Sequence, residues 1–333
     1  MEGKHPPIGK LLRAIATTER SRPWQMRVYR PAGAGRKIMA QQFDQNWMQV
    51  NPAYSVTSYQ HDSVAVGDRL QITVAEPVGE WRTNGVVPTL YALDPFITLE
   101  MVIGLSRLFS SFSGGQIPPI MVVGVGYPTS EPGQVMALRA RDLTPTLQGF
   151  PPEFPIKPPF GLGGASRFLR ALAEEIIPGI ENRYSVHPTD RTLIGYSFSG
   201  LFGLYTLFHR PKTFTRYLLV SPSMWWDQEV IFSDEQVWAE NHTDLPARVF
   251  LAAGEGEESG GQGWLNENIP DQVLHAFRQD QNLRRLAAVL ESRRYPGFYV
   301  DHVVFPDEYH LTVFPAALAR GLRTLFAEAK DHA

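Results

Sequence analysis

Residues 191–208 read RTLIGYSFSGLFGLYTLF: a short apolar run, a turn of small residues around Ser197, and a longer apolar run. The first run predicts a buried β-strand and the second a buried helix. A strand, a tight turn with a central serine and a helix are the context of a nucleophile elbow, in which strained backbone exposes the serine Oγ. The residues around the serine must be small, and Gly195, Ser199 and Gly200 meet this condition. We therefore predict that Ser197 is a nucleophile, the alternative being an ordinary tight turn.

A general base is expected late in the chain, because hydrolases with this elbow place the serine, the acid and the histidine in that order. A strand predicted at residues 298–305 is followed by a loop ending at His310 and by a closing helix over residues 312–329. We predict that His310 takes the Ser197 proton during attack and returns it to the leaving group. The alternative base, His302, lies inside the strand and is expected to face solvent or a core partner.

The acid is expected just after the strand predicted at residues 248–253. Three glutamates, Glu255, Glu257 and Glu258, lie close together there. An acidic run of this kind is also typical of a solvated loop. The residues alone do not distinguish among the three carboxylates.

Four segments together resemble the esterase D-like branch of the α/β-hydrolases, which includes enterobactin-type siderophore esterases. They are residues 87–94, residues 122–128 with 139–145, residues 163–200 continuing to 221–227, and His310 with Val313 and Pro315. The resemblance implies an α/β-hydrolase fold, with a mostly parallel central sheet flanked by helices. In that family the acid is the third residue after the glycine that ends its strand. That position is Glu257 here, with Glu255 as the alternate.

The same resemblance implies an oxyanion hole built from two backbone N–H groups. One belongs to Phe198, and the other comes from the turn after Leu93-Asp94. Relatives commonly carry glycine next, but this chain has Pro95, which has no N–H. The second donor is therefore predicted to be Asp94 or Phe96. Losing one such donor typically lowers the rate on the order of 10²–10³-fold.

Substrate contacts are predicted from a long Pro-rich loop and from two tryptophans. The loop, residues 127–165, follows a predicted strand and is expected to wall the pocket at the edge where ligands bind in open α/β sheets. Trp225 and Trp226 follow the strand at residues 217–220, and one of them is expected to face an aromatic or acyl group. Arg141 is the remaining candidate, although structural pairing is the stronger expectation for it.

Composition and local patterns frame the rest of the chain. Its 333 residues, 43% hydrophobic, contain no cysteine, which excludes disulfides, thiolate metal sites and cysteine nucleophiles. The net charge is −3, and positive and negative residues are interspersed, so the sequence shows no basic patch of the kind that binds nucleic acid. Without an apolar run of membrane-spanning length or a signal-like N-terminus, a cytoplasmic protein is expected. We predict an extension at residues 1–50 and one catalytic domain at 51–333. A homo-oligomer is compatible with the sequence.

Elements around the elbow are expected to alternate between strand and helix. Residues 54–59 and 70–75 predict an antiparallel pair. Residues 90–93 and 120–125 predict buried parallel strands. Helices are expected at residues 97–109 and 166–184.

The predicted function is that of a serine carboxylester hydrolase acting through an acyl-enzyme on a small-to-medium ester. Two alternatives remain: a siderophore ester or lactone hydrolase of the same mechanism, and a hydrolase-fold protein that only binds. An acyltransferase would share every motif. Nothing in the sequence calls for a metal or an organic cofactor.

Overall fold

The computed structural model of the chain describes residues 54–78, 85–111, 115–150, 158–258, 273, 275 and 277–327. The predicted extension, residues 1–50, lies outside these ranges, as do residues 151–157 of the predicted pocket loop. Within the described ranges, no helix combines the length and the apolar character needed to cross a membrane.

An eight-stranded sheet occupies the centre of the fold, in the order β1-β2-β4-β3-β5-β6-β7-β8. Strand β2 pairs antiparallel with β1 and with β4, and the remaining neighbours are parallel. This mixed, mostly parallel sheet confirms the predicted fold class. The strands are β1 Tyr54–Ser63, β2 Asp68–Pro77, β3 Val87–Leu93, β4 Met121–Gly126, β5 Val186–Tyr196, β6 Arg216–Val220, β7 Ala247–Gly254 and β8 Phe298–Phe305.

Helices cover both faces of the sheet. They are α1 Pro95–Ser111, α2 Pro132–Leu143, α3 Ala165–Ala171, α4 Ile177–Arg183, α5 Phe198–His209, α6 Trp226–Asn241, α7 Gln279–Arg293 and α8 Val313–Phe326. Successive strand side chains point to opposite faces, so each central strand contributes to two buried clusters. Leu90 and Ile194 pack with α1 and α8, whereas Tyr91 and Leu193 pack on the face of α3, α4 and α5.

The Pro-rich segment 127–165 contains a helix, α2, which the sequence reading did not predict. Its prolines obscured the signal, but Pro132 stands at the first helical position, where a missing N–H is harmless. The Glu131 side chain caps the helix by accepting a hydrogen bond from the Gln134 N–H at 3.1 Å. Part of the predicted loop is therefore regular structure.

A π-helical turn, Leu172–Ile176, separates α3 from α4. The Ile177 N–H bonds to the Leu172 carbonyl, five residues back. Pro178 follows directly and has no N–H to offer the carbonyl four residues before it, which explains why the regular ladder is interrupted here.

Glu175, inside this turn, ties the helix to the β1–β2 hairpin. Its Oε2 lies 2.8 Å from His61 Nε2, and its Oε1 accepts from the Ala65 N–H at 2.7 Å. Burial would raise the pKa of this carboxyl, but the hydrogen bonds from His61 and Ala65 outweigh it, and the pKa is lowered. The ionised carboxylate is therefore the form that the folded state favours.

Glu175→Gln is expected to lower the melting temperature by a few degrees at pH 7. Because the folded pKa lies below the ordinary 4.5, the stabilisation is present above that pH and is lost as the pH falls through the folded pKa. The difference from the unmodified protein should therefore shrink under acid conditions. Thermal melts at a series of pH values measure it.

The matched control is Glu174→Gln. Glu174 pairs with Arg210 on the surface, where both side chains are about half exposed, and such pairs contribute little. Equal, pH-independent effects of the two substitutions would contradict the assignment to Glu175.

Candidate active site

Ser197 lies in a strained turn between β5 and α5. Its backbone has φ 62° and ψ −115°, a conformation that non-glycine residues adopt only when the surroundings enforce it. The Ser197 N–H bonds to the Val220 carbonyl of β6 at 3.0 Å, which ties the turn to the neighbouring strand. A Cβ added at Gly195 would lie 2.1 Å from the Ser199 carbonyl oxygen, so only glycine fits there. The turn thus has the geometry of a nucleophile elbow.

His310 and Glu257 meet at the same edge of the sheet. His310 lies in the loop after β8, and Glu257 ends the short 3₁₀ turn after β7. His310 Nδ1 is 2.7 Å from Glu257 Oε2. The Glu257 side chain is only 3% exposed, so this is a protected contact. A carboxylate at Nδ1 leaves Nε2 as the nitrogen that can accept a proton.

The neighbouring glutamates are placed differently. Glu255 is exposed to solvent. One Glu258 carboxylate oxygen accepts hydrogen bonds from the Asp280 and Gln281 N–H groups at the start of α7. Of the three carboxylates, Glu257 is the one that contacts His310.

Glu257 is itself held by two donors, one of which the sequence reading missed. Its Oε1 accepts from the Ser221 hydroxyl at 2.6 Å and from the Gly254 N–H at 2.7 Å. Ser221 directly follows β6, with a positive φ of 44°. One signal in the sequence could have pointed to Ser221. It lies at the carboxyl end of β6, and β6 lies between β5, which leads to Ser197, and β7, which leads to Glu257.

Tyr196 connects the elbow to the histidine loop. Its ring stacks on His310, with the centroids 5.0 Å apart and an interplanar angle of 27°. Its hydroxyl donates to the His310 carbonyl. Burial, reinforced by the Glu257 charge, raises the pKa of Tyr196, which keeps this donor protonated.

The described residues show no hydrogen bond between the Ser197 hydroxyl and His310. Catalytic hydrogen bonds of this kind are often long in apo structures and tighten only in the complex with substrate.

The predicted oxyanion donors lie at the starts of two helices that follow neighbouring strands. Asp94 ends the β3–α1 turn with φ 55°, and its carbonyl accepts from the Ile97 and Thr98 N–H groups at 2.9 and 3.1 Å. The Phe96 N–H precedes these and belongs to the helix start, where N–H groups lack intrahelical acceptors. The Phe198 N–H is at the first position of α5, which also lacks an intrahelical acceptor. Pro95, at the first position of α1, has no N–H to offer.

The profile of the family described as "Putative esterase" matches residues 63–303. The chain belongs to this family. It is 31% identical over 243 residues to the ferri-bacillibactin esterase BesA of Bacillus subtilis, covering 71% of this chain and 78% of that protein. It is 27% identical over 289 residues to the siderophore triacetylfusarinine C esterase of Aspergillus fumigatus, covering 80% and 91%.

Among solved structures, the siderophore hydrolase EstA from Aspergillus nidulans superposes with a TM-score of 0.70 at 24% identity, covering 83% of this chain and 96% of that one. This likeness shows the α/β-hydrolase fold. The family match and the 31% identity to BesA identify the chain as a carboxylic ester hydrolase, as the sequence predicted.

The esterase holds Arg141 in ion pairs. Its Nε and Nη2 donate to the two Asp142 carboxylate oxygens at 2.8 and 2.7 Å, and its Nη1 donates to Asp68 Oδ2 at 2.8 Å. Burial opposes the charge of Arg141, but the two carboxylates outweigh it and raise its pKa. In this structure Arg141 joins α2 to β2, which is the structural pairing that the sequence favoured.

The two tryptophans of the esterase have different environments. Trp226 is fully buried, and its Nε1 donates to the Thr146 hydroxyl at 2.9 Å. Trp225 is partly exposed and stacks on Phe277 with the centroids 4.1 Å apart. The ring centroids of Phe198 and Phe150 lie 6.3 Å and 6.2 Å from that of Trp225. We call the four rings of Phe150, Phe198, Trp225 and Phe277 the aromatic wall, and it adjoins the elbow. Trp225 is the tryptophan that remains a candidate for substrate contact.

Glu257→Gln is expected to lower kcat by roughly 10³–10⁴-fold if Glu257 orients His310, the scale seen when a triad acid becomes an amide. Glu255→Gln is the matched control, because Glu255 is exposed and its substitution should change kcat by less than about twofold. Steady-state kinetics of both variants measure the difference. Comparable losses from the two would contradict the assignment of the acid.

Proposed function

We propose that this esterase cleaves its substrate through an acyl-enzyme, with Ser197 as nucleophile, His310 as general base and Glu257 as the group that orients His310. The observation that supports this most is the 2.7 Å contact between His310 Nδ1 and Glu257 Oε2. It lies beside an elbow whose serine has a strained, positive φ of 62°. The stacking of Tyr196 on His310 supports the nearness of the base to the nucleophile.

In the first half of the reaction, Ser197 Oγ attacks the ester carbonyl while His310 Nε2 takes its proton. The carbonyl oxygen becomes an oxyanion, which the N–H groups of Phe198 and of Asp94 or Phe96 stabilise. The intermediate collapses as His310 gives the proton to the departing alcohol. In the second half, His310 deprotonates a water that attacks the acyl-enzyme, and His310 then returns this proton to Ser197 Oγ as the acid is released.

A siderophore ester or lactone is the substrate class that the relatives favour. The two relatives described above are a ferri-bacillibactin esterase and a siderophore triacetylfusarinine C esterase. We therefore place this class ahead of an unspecified small-to-medium ester. The partly exposed aromatic wall offers flat apolar surface for such a ligand.

Within the part of the chain that the structure describes, neither Arg139 nor Arg141 is free to neutralise an anionic substrate group. The two arginines that sequence reasoning offered to an anionic ligand are both engaged. Arg139 is 4% exposed and pairs with Asp94 at 2.5 Å, and Arg141 pairs with Asp142 and Asp68. Asp94 and Asp142 are buried. Moving either guanidinium away would therefore leave a buried carboxylate without its partner, which is strongly unfavourable.

A role restricted to binding is the second candidate, suggested by the missing N–H of Pro95. The contacts that hold Glu257 and His310 speak against it, because a binding protein has no need of a buried carboxylate aimed at His310 Nδ1. A cytoplasmic location and homo-oligomer formation remain predictions.

Hydrolysis of p-nitrophenyl esters from acetate to octanoate is the first test. We expect turnover by the unmodified esterase and its loss in Ser197→Ala, because removal of the nucleophile lowers kcat by roughly 10⁶-fold in serine hydrolases. Labelling by a fluorophosphonate, lost in the same variant, confirms a live nucleophile. A folded esterase that neither turns over nor labels would support the binding role.

The charge argument predicts a preference between two matched acyl groups, butyrate and hemisuccinate, presented as p-nitrophenyl esters. They have the same chain length, but hemisuccinate ends in a carboxylate. We expect kcat/KM for hemisuccinate to be about tenfold lower, equivalent to roughly 1.4 kcal/mol. Faster or equal turnover of hemisuccinate would contradict the argument and indicate an available cation near the acyl group.

A further inference from the structure

Ser199 makes a buried polar contact that neither the elbow nor the triad requires. It lies in the first turn of α5 and is fully buried. Its Oγ is 2.6 Å from Asp94 Oδ2 and 2.9 Å from the Tyr196 carbonyl oxygen, and it accepts from the Tyr196 N–H at 2.7 Å. A hydroxyl has one proton to donate, and the shorter contact to a charged oxygen is the stronger one. Ser199 thus donates to Asp94.

Arg139 of α2 also binds the Asp94 carboxylate. Arg139 Nε donates to Asp94 Oδ1 at 2.5 Å, and Arg139 Nη2 donates to Asp94 Oδ2 at 2.7 Å. Asp94 and Arg139 side chains are 2% and 4% exposed. Burial disfavours the charge of Arg139, but the Asp94 carboxylate outweighs it and raises the Arg139 pKa. The carboxylate is therefore fixed by a paired charge and by the Ser199 hydroxyl.

The backbone of Asp94 needs this support. Its φ of 55° is unfavourable for a residue with a side chain, and such conformations persist only where the surroundings over-determine them. Pro95 restricts the residue before it further, because the proline ring crowds its backbone. The ring is itself wedged against β4, since a Cβ at Gly126 would lie 2.7 Å from Pro95 Cγ. The strained conformation of the turn therefore depends on the contacts that the Asp94 side chain makes.

We propose that Ser199 is a positioning residue for the oxyanion hole, an inference that rests on the proposed acyl-enzyme function. The hole takes one donor from α5, the Phe198 N–H, and the other from the β3–α1 turn. The Ser199–Asp94 hydrogen bond joins these two segments directly. Donors must lie about 2.7–3.1 Å from the oxyanion to act, and a shift of about 1 Å can lower a rate by about 10²-fold. Ser199 therefore sets the spacing of the two donors.

The test is Ser199→Ala, which removes only the hydroxyl. We expect kcat to fall about tenfold or more and KM to stay within about twofold, because the lost interaction is realised in the transition state. An alkyl boronic acid, whose tetrahedral adduct with Ser197 places an oxygen in the hole, should bind weaker by a similar factor. Ser199→Gly removes the hydroxyl together with the Cβ and should show the same losses of kcat and boronate affinity.

Thr206→Val is the matched control. Thr206 is buried in the same helix and its hydroxyl donates to the Phe202 carbonyl at 2.9 Å, with no contact to Asp94. It should lower the melting temperature as a lost buried hydroxyl does, but leave kcat and boronate affinity unchanged. All measurements are made well below the melting temperature of each variant.

The outcomes separate the two proposals. If turnover persists in Ser197→Ala, the acyl-enzyme function fails and the role of Ser199 falls with it. If turnover depends on Ser197 but Ser199→Ala matches Thr206→Val in kcat and boronate affinity, only the positioning role is overturned. A fall in kcat and boronate affinity confined to the Ser199 variants supports it.

Discussion

The close backbone approach at the elbow is the constraint on which the site depends. The chain reverses from β5 into α5 so sharply that even a methyl group at Gly195 would collide with the Ser199 carbonyl oxygen. This reversal places Ser197 beyond the end of the sheet, with its N–H fixed to β6. It also starts α5 at Phe198, so that the proposed nucleophile and one candidate oxyanion donor are adjacent in the chain.

Parallel strands then bring the other groups to the same edge. Asp94 follows β3, Ser221 follows β6, Glu257 follows β7 and His310 follows β8. Because these strands lie side by side with β5 in the sheet, in the order β3-β5-β6-β7-β8, residues far apart in sequence come within hydrogen-bond distance. The Ser221–Glu257–His310 chain runs across three adjacent strand ends, and Tyr196 of β5 closes it by packing on His310.

The strands, the elbow and the candidate Ser197 could be predicted because each follows from a local pattern. The candidate His310 followed from its order in the chain, after the serine and the acid. The acid could not be chosen from the residues alone, since the short 3₁₀ turn decides which glutamate faces inward. Ser221 was missed because its role arises only from strand adjacency. Helix α2 was hidden by the prolines on both sides of it. The choice between Trp225 and Trp226 could not be made from the sequence because two adjacent aromatic residues give the same signal, and the structure buries Trp226.

The aromatic wall has a different origin from the catalytic groups. Phe150 comes from the excursion between β4 and β5, Trp225 from the connection after β6, and Phe277 from the segment before α7. Only Phe198 belongs to the elbow. If the proposed function holds, mutations in these excursions change which ligands fit beside the aromatic wall, while the proposed catalytic groups at the strand ends stay unchanged. This separation gives evolution a way to diversify the ligands of such a fold without rebuilding its chemistry.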